Sequence, residues 1–579
     1  MKKILFATLI LLLSFQTSFS QKTLSQADKD RLAWWQDARF GMFIHWGPCT
    51  LTGADISWSR GKEIPTNIYD HLYQQFNPVN FDAHKWVQYA KDAGMKYIVF
   101  VAKHHDGFVM WDSELTEYKI TNTPFKRDVL RELTDAAHEM GMPIGIYFSP
   151  GDWRDPDCRS KTNAVFQKRM QGYLTEALSN YGEISLVWFD FDGKPNPTLP
   201  EETYNLVRKL QPKAIINNRL EAIHSDESHG FVGKWGDYAT PENRVGSYCN
   251  DVPWETCETM GKGWPWCIDD KPKDLKYLLN VLTSCVGGNG NLLLNVGPNA
   301  LGEFEPAFIA RLKEIGKWVG TNNQAIYGTL GGPYIPTPDY NCTRKGNKVF
   351  IHAKNFRQDE LKLPAFTGKI VKATLVDGSP VELVSEKSAL MIKVPVEKRD
   401  PNITVIVLEI KGNSFDIAVI PPFTKTQSLA YYKSARVSSS VAPSFMHDAG
   451  AVFDDNEGTY WTPGRDPLLA DSISGIKFDD GYNPKNPVWL KSGWVEVDLG
   501  KPTIISRAII KGTTGWNNNY LSVSSFKIEY EKKNNWITLV SGTTLSGDAI
   551  TFPTPIEAQK VRLSVEAPGK PAITEFQLF

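Results

Sequence analysis

The sequence predicts a barrel of alternating strands and helices followed by two all-β units, and three observations carry that prediction. From Trp34 to about Tyr327, short apolar runs alternate with segments of helical periodicity. After Tyr327 the chain changes to short alternating strands separated by turn residues, and from Pro421 a second stretch of all-β character runs to the C-terminus. A chain of 579 residues is also too long for one core, so about three units are expected.

Ahead of the first unit, residues 1–20 read as a signal peptide: Lys2 and Lys3, the apolar run Ile4 to Phe15, then small residues up to Ser20, with a cut before Gln21. The run is too short and its tail too polar for a membrane anchor, and no Cys follows it to accept a lipid. The expectation is an exported protein, periplasmic or extracellular, without membrane insertion. A net charge of -1 gives no electrostatic case for nucleic acid or a membrane surface. Seven cysteines (Cys49, Cys158, Cys249, Cys257, Cys267, Cys285, Cys342) form an odd set without framework spacing; an oxidising compartment allows one or two disulfides, and no spacing reads as a zinc site. Eighteen tryptophans and an aromatic fraction of 12% are high, and exposed aromatic faces are what sugar rings stack upon.

Within the barrel, expected to span 21–330, strands are predicted at Phe40 to Trp46, Tyr97 to Lys103, Pro143 to Ser149, Ser185 to Asp190, Ala214 to Arg219 and Asn291 to Val296. Helices are predicted at Phe81 to Ala93, Val129 to Met140, Ala164 to Asn180, Glu202 to Leu210 and Leu275 to Ser284. This many repeats favour a closed barrel over an open sheet. Between Arg219 and Lys271 the pattern turns irregular, which predicts distorted strands and a rim of active-site loops. Beyond the barrel, Lys348 to Ala353, Lys369 to Val376, Leu390 to Val394 and Ile403 to Ile410 predict a small antiparallel β-sandwich over 331–412, followed by the last unit over 421–579.

Chemistry in such barrels sits at the carboxyl ends of the strands. The predicted strands end in His45-Trp46-Gly47, Lys103-His104-His105-Asp106-Gly107-Phe108, Tyr147-Phe148-Ser149, Asp190 and Asn217-Asn218-Arg219. The run Ser-Leu-Val-Trp-Phe-Asp-Phe-Asp-Gly from Ser185 to Gly193 places Asp190, and two residues on Asp192, where a buried strand opens into a loop. Of ten histidines three fall at these ends; without a third ligand at metal-like spacing they read as hydrogen-bonding partners for a small polyol.

Phe43-Ile44-His45-Trp46-Gly47, Lys103-His104-His105-Asp106-Gly107-Phe108, Trp188-Phe189-Asp190 and Asn291-Leu292-Leu293-Leu294-Asn295-Val296-Gly297-Pro298 resemble, in order, the signature blocks of the alpha-L-fucosidases of glycoside hydrolase family 29. The resemblance implies a (β/α)8-like barrel of the TIM type and a retaining mechanism without a catalytic cofactor, acting on terminal fucose of oligosaccharides or glycoconjugates. It places the nucleophile on Asp190, with Asp192 as the alternative. His45, His104, His105, Tyr147 and Arg219 match positions lining the fucose pocket, Phe148 being the alternative to Tyr147; Trp58 and Trp264 match its aromatic walls. The resemblance places the general acid/base on Glu242, with Glu255 as the alternative. Where some relatives carry an acid just before the wall tryptophan, this chain has Ser57. In the last unit, Ala451 to Trp461, Trp494 to Gly500, Val561-Arg562-Leu563 and Ile573 to Phe576 resemble a discoidin-like (F5/8 type C) jelly roll, a module that often binds carbohydrate. There Asp454, Thr459 and Glu575 match positions that hold structural calcium, although the same Asp-rich run also serves as an ordinary turn.

Retaining hydrolysis needs one carboxylate to attack the anomeric carbon and another, roughly 5–5.5 Å away, to protonate the leaving oxygen and then activate water. The methyl at C6 of fucose asks for an apolar contact, at roughly 1 kcal/mol for a buried methyl. Two other functions are open at this stage: a barrel that binds fucose without turning it over, and a glycosidase for a related sugar such as galactose.

Overall fold

The structure, a computed structural model, describes residues 24–579 apart from 160–162, 191–197, 222–231, 244, 247, 251, 357–358, 424–427, 432, 439–448, 454–459, 464–490, 513–522, 544, 546–548 and 569–570. The leader, Asp192, Asp454 and Thr459 lie outside the described residues.

Seven strands, β1 (Phe40–Ile44), β2 (Ile98–Lys103), β3 (Ile144–Phe148), β4 (Leu186–Phe189), β5 (Ile215–Ile216), β6 (Glu255–Thr259) and β7 (Asn291–Asn295), form one parallel sheet in the order β5-β4-β3-β2-β1-β7-β6. The helices are α1 (Gln26–Ala38), α2 (Thr66–Tyr69), α3 (Ala83–Asp92), α4 (Val129–Glu139), α5 (Ala164–Ser179), α6 (Pro200–Leu210), α7 (Leu275–Gly287) and α8 (Pro306–Thr321). Among the described residues at least one α-helix separates each consecutive pair of strands except β5 and β6, which gives a curled, TIM-like sheet. Asp82, Asp128 and Asp274 start α3, α4 and α7 by accepting the amides of Lys85, Arg131 and Lys276, and α6 and α8 open on proline, which costs no hydrogen bond there.

Side chains alternate between two apolar layers with the two-residue period of a strand. Phe40, Met42 and Ile44 of β1, Ile146 and Phe148 of β3, and Val187 and Phe189 of β4 belong to the outer layer under the helices. Phe43, Tyr147, Leu186 and Trp188 fill the interior with Leu32 and Trp35 of α1. Gly41 admits this packing, since a Cβ there would stand 2.4 Å from Tyr97 Cε2. Between β5 and β6 the piece 237–242 bonds to both. Asp237 N–H donates to Ile216 O (2.7 Å) and Asn218 N–H to Tyr238 O (2.9 Å) on one side, while Glu255 N–H donates to Ala239 O (2.8 Å) and Cys257 N–H to Pro241 O (3.0 Å) on the other.

Two antiparallel sheets follow. β8 (Leu330–Gly331), β9 (Tyr340–Lys345), β10 (Lys348–Ala353), β12 (Ile370–Leu375) and β15 (Thr404–Ile410) make the larger; β11 (Glu360–Pro364), β13 (Glu382–Ser385) and β14 (Ala389–Lys393) make the smaller. They share a core that includes Ile351, Leu363, Ile392 and Ile406 and extends to Ile420, past the expected limit at 412. Asn341 Nδ2 donates to Thr283 Oγ1 (2.9 Å) and Trp318 Nε1 to Ile403 O (3.1 Å), which ties this part to α7 and α8.

The last part is one antiparallel sheet of β16 (Ser434–Val437), β17 (Ser492–Gly512), β18 (Ser525–Lys532), β19 (Asn535–Gly542), β20 (Ala549–Glu566) and β21 (Ile573–Leu578), over its own core of Trp461, Ile505, Ile528, Leu563 and Phe576. Register breaks between Asp498 and Thr503 and between Ile505 and Arg507 let the long β17 bend. The calcium expected here is not supported. Glu575 is buried and stands cross-strand from Lys511, whose ammonium is a poor neighbour for a cation, and no group of three acid, His or Cys side chains fit for a metal occurs among the described residues. The disulfides allowed by the cysteine count are absent, all seven cysteines being free thiols. No helix among the described residues is long and apolar enough to cross a membrane.

Candidate active site

The strand period decides what faces the mouth of the sheet. Trp188 points inward and Phe189 outward, so Asp190, next in phase, enters the pocket at the end of β4. β4 and β5 pair only through Leu186–Ile215 and Val187–Ile216. Beyond them the Asn217 carboxamide continues the ladder: its Oδ1 accepts from Phe189 N–H (2.9 Å) and its Nδ2 donates to Phe189 O (2.8 Å). The backbone leading into Asp190 is thereby held on the β5 side, where the β4–β5 ladder has ended, while Phe148 of β3 still pairs with Phe189 on the other.

Arg219, in the turn after β5, connects two acids. Its two terminal nitrogens donate to Asp190 Oδ1 (2.8 Å) and Glu242 Oε2 (2.9 Å), and its Nε to Thr240 Oγ1 (2.9 Å). The guanidinium lies 4.4 Å over the Trp188 ring and is 3% exposed. Burial alone would lower its pKa; Asp190 first and Glu242 second more than reverse this and raise it. The other Asp190 oxygen accepts from the Tyr147 hydroxyl (2.9 Å), and His105 Nε2 stands 3.7 Å from it. Phe148, the alternative to Tyr147, packs in the outer layer.

The histidines are held from behind. Asn295 Oδ1, which can only accept, lies 2.7 Å from His45 Nδ1, so this nitrogen carries the proton and Nε2 is left as an acceptor. Asn295 Nδ2 donates to Trp264 O (2.6 Å), which fixes the amide's orientation. Burial pushes the His45 pKa down to about 4, and burial followed by the neighbouring His105 holds His104 well below its ordinary value. Both rings are neutral near neutral pH. Ser57, in the left-handed region at φ 56°, lies 2.6 Å from His104 Nδ1 and accepts from Asp106 N–H (2.9 Å). Ser57 thus braces the paired-histidine loop. Trp58 packs edge-on against His105 and Trp153, and the Trp264 ring is tilted 38° over His45 at 4.9 Å between centroids.

One pocket is lined by His45, Trp58, His104, His105, Tyr147, Asp190, Arg219, Glu242 and Trp264, the candidates drawn from the sequence. Phe43, Ile56, Trp188 and Cys257 also line it and were not singled out. Phe43 and Trp188 carried a signal, since each is two residues before a strand-end candidate and so shares its face.

Glu255, the other acid/base candidate, is elsewhere. It is fully buried on β6 in the interior, where its Oε2 accepts from Trp35 Nε1 (3.1 Å) and from the Tyr97 hydroxyl, and it does not line the pocket. Burial pushes its pKa up from 4.5 to about 7. A carboxyl that binds its proton more tightly when folded contributes stability that is fully present below the unfolded pKa and is lost as pH rises through about 7. Glu255→Gln should therefore melt higher than the parent above neutrality, by on the order of 3 kcal/mol of stability at most, with the difference closing towards about pH 5. Thermal melts across that range check this, and a pH-independent difference would contradict it.

Two acids joined by one guanidinium, among neutral imidazoles and aromatic walls at the strand ends of a TIM-like sheet, define a carbohydrate-active site. Comparisons with known proteins make the class specific. Residues 11–324 match the family model described as Alpha-L-fucosidase, and residues 434–576 match the F5/8 type C domain. Alpha-L-fucosidase 1 of Arabidopsis thaliana is 34% identical over 303 residues, which cover 48% of this chain and 58% of that protein. Among solved structures, alpha-L-fucosidase isoenzyme 1 from Paenibacillus thiaminolyticus is 33% identical, with a TM-score of 0.61 over 66% of this chain and 100% of the other. A GH29 alpha-L-fucosidase from Bacteroides thetaiotaomicron, solved as a trapped covalent intermediate with 2-fluoro-fucosyl fluoride on a glutamate-to-glutamine variant, is 27% identical, with a TM-score of 0.61 over 68% of this chain and 98% of the other. The chain belongs to the alpha-L-fucosidase family.

Proposed function

We propose that this protein is an exported, exo-acting, retaining alpha-L-fucosidase that releases terminal alpha-linked L-fucose from glycans by double displacement. The observation that carries the reading is the Arg219 bridge, which brings Asp190 and Glu242 to one pocket as a close pair. In the first step an Asp190 oxygen attacks the anomeric carbon while Glu242 gives its proton to the departing oxygen. In the second, Glu242 takes a proton from water, whose oxygen displaces Asp190 and restores the starting configuration. Arg219 and Tyr147 hold the Asp190 carboxylate in line for attack, and the His45 Nε2 lone pair accepts from a sugar hydroxyl. Phe43, Trp58 and Trp264 offer the apolar contact that the C6 methyl requires. The covalent intermediate trapped on the Bacteroides relative supports the same chemistry here.

We further read the piece 237–242 as the eighth strand closing a (β/α)8 barrel, the two middle sheets as a β-sandwich, and the last unit as a jelly-roll module that binds carbohydrate outside the catalytic step. The leader at 1–20 supports export to the periplasm or beyond. Release of fucose from an aryl fucoside and from a fucosylated oligosaccharide tests the function. Binding of fucose without release would favour the lectin-like alternative, and faster turnover of an aryl galactoside a related glycosidase.

A chain ending at Phe423 is expected to retain most of its rate on a small aryl fucoside, because the site lies before Tyr327 and the middle core ends near Ile420. A folded truncated protein without that activity would mean that the last unit contributes to the pocket.

A further inference from the structure

Behind the pocket, Lys103 ends β2 with no exposed surface. Burying an ammonium group is costly unless its donors are taken up. Here they go to the backbone: Nζ donates to Ser149 O (3.2 Å) and to Gly151 O (2.7 Å), both in the loop after β3. The Phe148 and Tyr173 rings lie 5.6 and 5.9 Å from the ammonium. Burial lowers the Lys103 pKa, and the charge of Asp152 opposes the fall. The contact between the two loops is reciprocal, since Ser149 N–H donates to Lys103 O (2.8 Å). Further along, Gly107, at φ 82°, leaves room for Asp152, whose Oδ2 would stand 2.2 Å from a Cβ there. The loops that follow β2 and β3 are therefore locked together, and His105 sits between them.

The lock decides which nitrogen of His105 carries the proton. A serine hydroxyl has one hydrogen to give. That of Ser149 goes to Gly151 O (3.0 Å), the carbonyl that Lys103 holds, so Ser149 Oγ can only accept from His105 Nδ1, 2.8 Å away. Trp153 secures the residue further: its N–H donates to His105 O (2.6 Å), and its ring is tilted 33° over the imidazole at 5.1 Å between centroids. Nε2, without a proton, presents a lone pair 3.7 Å from Asp190 Oδ2. The opposite tautomer would point an N–H at that carboxylate and engage the oxygen that has to attack.

Building on the fucosidase reading, we propose that Lys103 is a positioning residue: through Gly151 and Ser149 it fixes His105 as the Nδ1–H tautomer, which leaves Asp190 unencumbered and makes Nε2 an acceptor for a hydroxyl of the sugar. Lys103 does not line the pocket, so its effect reaches the reaction only through the imidazole. With His45 held from behind by Asn295 in the same sense, the pocket meets the sugar with two imidazole lone pairs.

Lys103→Met keeps an unbranched stem and removes the donors, and Ser149→Ala removes only the hydroxyl. Each should lower kcat/KM for an aryl fucoside by about tenfold in the wild-type background, and by less than about twofold in a His105→Phe background, where no tautomer is left to fix. Equal losses in both backgrounds, or no loss in the wild-type background, would overturn the proposal. Should Lys103→Met fail to fold, Ser149→Ala decides alone. NMR of protein labelled in the histidine ring nitrogens, with the His105 resonances assigned by their absence from His105→Phe, should show the proton on Nδ1 in the wild type and a mixture of tautomers in Lys103→Met and Ser149→Ala. A proton on Nε2 in the wild type overturns the proposal whatever the kinetics. A wild type that releases no fucose from the aryl fucoside overturns the fucosidase reading, while the NMR signature still judges the hold of Lys103 on His105.

Discussion

Replacing Asp190 by alanine is expected to lower kcat on an aryl fucoside by at least about 10⁴-fold, since the bond to the anomeric carbon is assigned to its carboxylate. The geometry gives Asp190 this role through three constraints that act together. Its phase on β4 aims it inward, the Asn217 carboxamide holds its backbone, and Tyr147 and Arg219 donate to its two oxygens. Asp192→Asn should retain much of the rate. An active Asp190→Ala beside a dead Asp192→Ala would reverse the assignment, provided both variants melt cooperatively near the parent temperature.

The second large effect is expected at Glu242. Glu242→Ala should lose about 10²–10⁴-fold on a natural fucosylated oligosaccharide and much less on an aryl fucoside with a low leaving-group pKa, because only the poor leaving group needs its proton in the transition state. Azide, a nucleophile that needs no general base, should restore turnover of the activated substrate. Glu255 is buried beneath the site with Trp35 and Tyr97, so Glu255→Ala should act through stability and slow both substrates alike. Selective loss at Glu255 with equal loss at Glu242 would exchange the roles.

Much of this site was legible because a strand's two-residue period and the position of its last apolar residue together say which side chain enters the mouth of a barrel. His45, Tyr147 and Asp190 are placed this way, each two residues beyond or within an inward-facing run. β6 was not legible. Its sequence, Glu-Thr-Cys-Glu-Thr, has no apolar run, because Glu255 faces inward onto Trp35 and Tyr97 and Glu258 pairs with Lys273. Polar residues with partners inside a protein look, in sequence, like polar residues in a loop. The same reason hides the supports of the site. Asn217, Ser57 and Asn295 act through hydrogen bonds to a backbone or a ring made across 28 to 250 residues of chain, and no local pattern marks such a bond. The helix α1 that plugs the interior was missed for a different reason: its apolar residues are few, and Trp35 belongs to a core formed by strands far along the chain.

Covalent labelling tests the central claim most directly. Incubation with 2-fluoro-fucosyl fluoride, followed by proteolysis and fragment-ion sequencing of the peptide spanning Ser185 to Lys194, should locate one fluorofucosyl ester on Asp190, with loss of activity in step with labelling. A label on Asp192 or on Glu242, or inactivation without any covalent adduct, would contradict the account.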